Sequence, residues 1–247
     1  MSVANKQYTE EEIKLIKNAA KIELSRRSFF YFCNTLADDF YLENRKYLKI
    51  LCNTLQALYE QRIIKIIPSV KWRIVGQEEI KQYSNYQVCK KLILNMPPQH
   101  GKSRTLVNFC CWVFGKNPRE KIITASYNDT VASDFSRYTR DEIQASKIDP
   151  FMICYSDIFP NTQIKQGNAS FEKWALEGQH FSYLGAGIGG SVTSKGGTIL
   201  IVDDPIKGAK EAFNENYLNS NWIWYTNTFR SRVSAKGRRT NRNNKHD

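Results

Sequence analysis

Long apolar runs are missing from this sequence. No stretch reaches the roughly 20 residues that a membrane-crossing helix requires, and the N-terminus carries no apolar signal-peptide core. The chain is therefore expected to work in the cytoplasm, away from membranes. Histidine is scarce, with three residues, and the six cysteines, at 33, 52, 89, 110, 111 and 154, form no C-x-x-C pair. That leaves no zinc-type spacing and points to reduced core thiols rather than a disulfide framework. Acids are outnumbered, 24 against 36 Lys and Arg, for a net charge of +12. Such an excess suits a polyanionic partner, and nucleic acid is the expected one. From Gly237 to Asp247 no apolar residue occurs at all, a composition that cannot build a core.

What is present is enough for one good core, or one core with a small subdomain: 247 residues, 41% of them hydrophobic. The stretch Lys91–Thr105 reads Lys-Leu-Ile-Leu-Asn-Met-Pro-Pro-Gln-His-Gly-Lys-Ser-Arg-Thr, a short apolar run, a loop, and then an apolar segment to Phe114. A strand at 91–96 and a helix over about 102–115 would place Gly101, Lys102 and Ser103 in the setting of a phosphate-binding loop. Backbone N–H groups at a helix N-terminus face an anion there. Lys102 would reach the β- and γ-phosphates of ATP and Ser103 would ligate Mg²⁺. The loop residues expected to touch nucleotide are Pro98, Gln99, His100, Gly101, Lys102, Ser103 and Arg104. Met96 stands where the first glycine of G-x-x-x-x-G-K-[ST] belongs, and Gly-Lys-Ser alone also occurs in ordinary surface turns.

The stretch Thr198-Ile-Leu-Ile-Val-Asp203-Asp204 supplies the second motif. Four apolar residues suit a strand buried on both faces, and two acids at its end are costly unless they hold a metal or act on a substrate. In phosphate-loop enzymes the first acid, here Asp203, belongs to the Mg²⁺ site, and the second, here Asp204, polarises the attacking water. A strand ending in a solvated Asp-Asp turn is the plainer alternative.

Elsewhere, Thr9 followed by Glu10, Glu11 and Glu12 is a helix start with a capping box, and Ile13, Ile16, Ala20 and Leu24 recur at helical spacing. Phe29–Phe32 reads as core, and Arg45–Tyr59 as a second amphipathic helix. Residues 62–90 read as an inserted hairpin or flap. From Lys90 on, strands at 91–96, 121–126 and 198–203 alternate with helices at 102–115 and 129–146, which predicts a mainly parallel sheet flanked by helices. The strand at 121–126 between the two motifs indicates the additional-strand branch of P-loop NTPases. Gly185-x-Gly187-x-x-Gly190 reads as a glycine-rich hairpin, because no helix follows it. Trp222, Tyr225 and Phe229 share a helix face expected to pack on the sheet. The expected organisation is a helical subdomain over 1–60, a P-loop core over 61–235 and a basic tail over 236–247.

Met96-Pro-Pro-Gln-His-Gly-Lys-Ser103 and Ile201-Val-Asp-Asp-Pro-Ile-Lys207 resemble the large terminase subunit of tailed bacteriophages. Lys121–Tyr127 with Asp134–Arg137, Gly185–Thr193, and Trp222–Tyr225 with Thr228–Arg230 are similar to further stretches of that family, so that the likeness spans roughly residues 30 to 235. It implies an ATPase that drives double-stranded DNA into a capsid. It also implies a homo-oligomeric ring when full-length, with a portal protein and a small terminase subunit as partners. The family continues into a Thr-Arg-Trp type coupling motif and a nuclease, and neither is seen here. The expectation is therefore a truncated ATPase domain without nuclease activity. Relatives often carry arginine in the loop where this chain has Gln99, which leaves the source of an arginine finger open. DNA contacts are expected from Arg230, Arg232, Lys236, Arg238 and Arg239. Two other readings stay open: a catalytically impaired ATP- and DNA-binding fragment acting through intact subunits, and a helicase-like ATPase.

Overall fold

A computed structural model describes residues 8–190, 192 and 195–234. In chain order it contains helices α1 (Glu10–Arg27), α2 (Phe29–Leu36) and α3 (Lys46–Tyr59), then strands β1 (Ile63–Ile66), β2 (Arg73–Ile74) and β3 (Tyr86–Val88). Next come α4 (Lys102–Lys116), β4 (Ile122–Ser126), α5 (Asp129–Gln144) and the short α6 (Tyr155–Ile158). Strands β5 (Ile164–Ala169), β6 (Lys173–Leu176), β7 (Tyr183–Gly187) and β8 (Ile199–Val202) follow, with α7 (Ala209–Ala212) and α8 (Glu215–Trp224) after them. The fold class is α/β. No helix among the described residues is long and apolar enough to cross a membrane. The chain forms two compact units, one running to Trp112 and including Ser146–Ile158, the other comprising Val113–Ala145 and the chain from Phe159 on.

In the first unit α1 opens with the capping box the sequence predicts. Thr9 Oγ1 accepts from Glu12 N and Glu12 Oε2 accepts from Thr9 N, satisfying two of the helix's orphan donors. Its apolar stripe is a correction: Ile13, Ile16 and Leu24 are all exposed, and the one buried residue is Ser25. The helix is held by polar anchors instead. Ser25 Oγ bonds to Lys21 O and Thr35 Oγ1, Trp112 Nε1 donates to Ser25 O at 3.1 Å, and Arg26 Nε donates to Ile158 O at 2.7 Å. Helix α2 buries Phe29, Phe30 and Phe32 as expected of core. Phe29 meets Phe109 edge-on at 5.5 Å and Trp112 at 5.7 Å. Helix α3 adds Leu48, Leu51 and Leu55 to the core, each burial contributing on the order of 1.5–3 kcal/mol. Residues 62–90 fold as an antiparallel three-stranded sheet of order β2-β1-β3, with Ile63 opposite Ile74 and Ile64 opposite Val88.

The strand expected at 91–96 does not form. Exposed and half-buried residues alternate along it, and Ile93 is 93% exposed. A strand is stabilised by its ladder, and among the described residues nothing pairs with this one. The helix after it does form. From Thr105 to Phe114 every residue of α4 is buried, as an all-round apolar helix requires.

The second unit is built on a five-stranded sheet of order β5-β6-β7-β4-β8. Strand β4 is parallel to both β7 and β8, whereas β5, β6 and β7 run antiparallel. The sheet is therefore mixed rather than mainly parallel. The reason lies in the connections: the short link at 170–172, where Ser170 Oγ bonds both Lys173 N and Lys173 O, allows only antiparallel neighbours. The glycine segment is likewise a central strand, β7, rather than a hairpin. A Cβ on Gly185 would lie 2.6 Å from Ala132 O and one on Gly187 2.8 Å from Asp129 N, so these glycines exist to let α5 approach the sheet.

Alternation along the strands divides the sheet cleanly. One face carries Tyr183, whose hydroxyl bonds Thr124 Oγ1 at 2.9 Å and whose ring stacks on Trp174 at 5.0 Å; Trp174 Nε1 in turn bonds Ser136 of α5. The other face carries Ile123, Ala125 and Ala186, packed with Leu200, Val202, Trp224, Tyr225 and Phe229. Here too an expectation is corrected, since Trp222 is 62% exposed. A π-helical turn at Tyr225–Phe229 inserts extra backbone after α8 and rotates the phase, so that Trp224 rather than Trp222 stacks on Phe229, at 5.0 Å. Ahead of β8, Gly197 forms a parallel bridge with Val233.

Candidate functional site

The Gly-Lys-Ser segment lies in the first unit, at the N-terminus of α4. Gln99 and Gly101 both adopt positive φ, 60° and 81°. Helix α4 then begins directly at Lys102, with Thr105 N donating to Gly101 O at 2.9 Å. The N–H groups of a first turn lack intrahelical acceptors, and the helix dipole adds partial positive charge. Gly101 is required twice over: L side chains rarely adopt its φ, and a Cβ there would meet the Phe40 ring at 2.6 Å. Gly101, Lys102 and Ser103 are half-buried, while Pro98, Gln99, His100 and Arg104 are exposed.

Residues that the sequence did not single out hold this loop. Nδ1 of His100 lies 2.8 Å from Pro98 O, and the His100 ring meets Tyr47 edge-on at 5.8 Å. The Arg104 guanidinium sits over Phe40 at 4.7 Å and Tyr41 at 6.0 Å, a cation–π stack. Beneath it Tyr41 Oη is 3.1 Å from Thr105 Oγ1, and Asn108 Nδ2 donates to Tyr41 Oη at 3.3 Å. Burial pushes the Tyr41 phenol far above its ordinary pKa, so the network keeps its proton at any working pH. The aromatic spacing of Phe40, Tyr41 and Tyr47 gave no signal by itself, because its meaning depends on which loop folds over it.

The carboxylate pair belongs to the second unit, at the C-terminal end of β8. Asp203 N donates to Ala125 O at 2.9 Å, and Tyr127 N donates to Asp204 O at 3.2 Å, so the pairing with β4 continues past the strand proper. Asp203 is only 6% exposed. Asp204 is exposed and adopts φ 44°, a left-handed conformation that costs energy in a non-glycine residue and concentrates at functional sites. Next to this pair, Ser126 ends β4; it is 1% exposed and its Oγ has no hydrogen-bond partner.

These donors fit a hard divalent cation. Mg²⁺ prefers oxygen ligands, keeps several waters, and is typically held by one or two carboxylates with substrate phosphates rather than by an all-protein cage. A buried carboxylate beside an orphan hydroxyl answers that description. Among the described residues no group of three or more His, Cys, Asp or Glu could hold a metal ion.

Of the basic residues expected to meet DNA, Arg230 is exposed in a 3₁₀ turn over Arg230–Arg232. Arg232 is half-buried, its Nε donating to Thr228 O at 3.2 Å and its guanidinium also bonding Ser231 Oγ. Lys236, Arg238 and Arg239 lie outside the described residues. No protein-family model matches the chain, and no curated protein is significantly similar to it.

Proposed function

We propose that this chain is a P-loop ATPase of the additional-strand type, acting as the motor domain of a DNA-packaging machine. The observation that carries this reading is the opening of α4 at Lys102, immediately after a left-handed Gly101, in a sequence that also ends a strand with Asp203-Asp204, although that strand, β8, is a half-buried edge strand rather than one buried on both faces. The motif likeness to large terminase subunits and the net charge of +12 support double-stranded DNA as the substrate moved. A portal protein, a small terminase subunit and a ring of like chains are the partners that reading entails.

Each residue's part follows from its chemistry. The amides of the first α4 turn and the Lys102 ammonium bind and orient the nucleotide phosphates. By motif likeness Ser103 and Asp203 are each a candidate ligand for Mg²⁺, which when bound would screen phosphate charge. Asp204, exposed at the strand end, accepts a proton from the water that attacks the γ-phosphate. Arg104, stacked on Phe40, rigidifies the loop from outside. The helicase-like alternative has no specific support. The impaired-fragment reading is favoured by one observation: residues 91–96 have no ladder partner among those described, so no strand pairing anchors the segment that leads into the loop.

ATP titration by calorimetry, followed by phosphate release with and without DNA, tests the proposal. Mg²⁺-dependent ATP binding abolished by Lys102→Ala is the expected result. Equal affinity in both proteins would remove the loop from the site. Binding without turnover would select the impaired-fragment reading.

A further inference from the structure

From the β4–β8 pairing we infer that Ser126 is a positioning residue for the divalent cation, its hydroxyl joining Asp203 in holding the cation's hydration shell; this rests on the ATPase reading above. Ala125 is in register with Val202, and the Asp203 N to Ala125 O bond carries the ladder one step further. That step sets Ser126 beside Asp203. Parallel neighbours in register share a face, and side chains alternate along each strand. Ala125 and Val202 belong to the apolar layer with Phe229. Ser126 and Asp203 therefore both lie on the opposite face, the one on which Thr124 bonds Tyr183 and α5 approaches.

The hydroxyl's state gives the second argument. Ser126 is 1% exposed, and its Oγ has no partner, although buried hydroxyls are nearly always hydrogen-bonded. Its carbonyl is engaged, accepting from Ile188 N at 2.8 Å, so the backbone is fixed and only the side chain waits. Alanine would fill this place at no polar cost. A serine here is explained by a ligand that supplies the missing bond, and a water in the shell of a cation on Asp203 is the ligand within reach of its face and register. Outer-shell partners of this kind orient the donors and tune metal affinity.

The test uses the full chain with a slowly hydrolysed ATP analogue and Mn²⁺ as the probe, read by paramagnetic resonance. Ser126→Ala and the near-isosteric Ser126→Cys should each weaken Mn²⁺ uptake by the protein–nucleotide complex roughly tenfold, leaving nucleotide affinity in EDTA unchanged. In the absence of ligands Ser126→Ala should melt no lower than wild type, since it deletes a partnerless hydroxyl. A purely packing role predicts the reverse, a lower melting point with Mn²⁺ affinity kept. Wild-type Mn²⁺ affinity in the Ser126→Ala and Ser126→Cys proteins, alongside its loss in Asp203→Ala, would overturn the role of Ser126 while leaving the ATPase reading intact. Absence of Mn²⁺ uptake by the wild-type complex would overturn both.

Discussion

Single residues carry the proposed chemistry, and their predicted failures differ. Lys102 opens α4 and is half-buried; a charge-assisted contact there is worth about 1.5–3 kcal/mol, so Lys102→Ala should weaken ATP binding about tenfold to a hundredfold by calorimetry. Asp203 and Asp204 are adjacent but unlike, one buried and one exposed in a left-handed conformation. Asp203→Ala should abolish the Mg²⁺ dependence of nucleotide binding. Asp204→Asn should bind Mg-ATP with near wild-type affinity and lose turnover, because an amide is a poor base; a wild-type hydrolysis rate in that variant would reassign the base. Asparagine tolerates positive φ as aspartate does, so this substitution leaves the turn unstrained. These three candidates were drawn from the sequence, since their motifs are local. Ser126 was not: its role depends on β4 lying beside β8, a pairing between residues 77 apart in register.

At the scale of elements, the phase of the α8 segment decides which aromatic residues matter. Helical spacing puts Trp222, Tyr225 and Phe229 on one face, and the π turn breaks that phase. Phe229 is fully buried, and Phe229→Ala should cost about 3–5 kcal/mol by urea denaturation. Trp222→Ala should stay within about 1 kcal/mol, as befits an exposed side chain. Equal losses would mean the helix continues in α phase. On the sheet's other face, Gly185→Ala places a methyl 2.6 Å from Ala132 O. It should destabilise by about 1–3 kcal/mol, since overpacking forces α5 outward; a midpoint equal to wild type would show that α5 sits farther from β7.

For the whole molecule, the charge excess is the governing property. Binding to double-stranded DNA should be non-specific and steeply salt-dependent, each phosphate contact adding about −0.9 to the slope of log K against log salt. Lys236, Arg238, Arg239, Arg242 and Lys245 concentrate charge near the end of the sequence. Removing residues 236–247 should therefore flatten the slope in fluorescence-anisotropy titrations. An unchanged slope would move the DNA surface to another part of the chain.

Local physics was readable in the sequence alone. The Thr9 capping box, the helices at 46–59, 102–116 and 129–144, and the strands at 122–126 and 199–202 follow from caps and periodicity among near neighbours. The burial of α4 from Thr105 to Phe114 follows from its mostly apolar run. What the sequence could not determine were the outcomes that depend on partners. Residues 91–96 have the composition of a strand but form no ladder, because a strand is made by its neighbour as much as by itself. The apolar stripe of α1 stays exposed because Ser25, Arg26 and Trp112 fix the helix by hydrogen bonds from another side. The sheet is mixed because short links turn β5, β6 and β7 back on one another. Spacing along the chain encodes which face a side chain takes, whereas tertiary structure alone decides what meets that face.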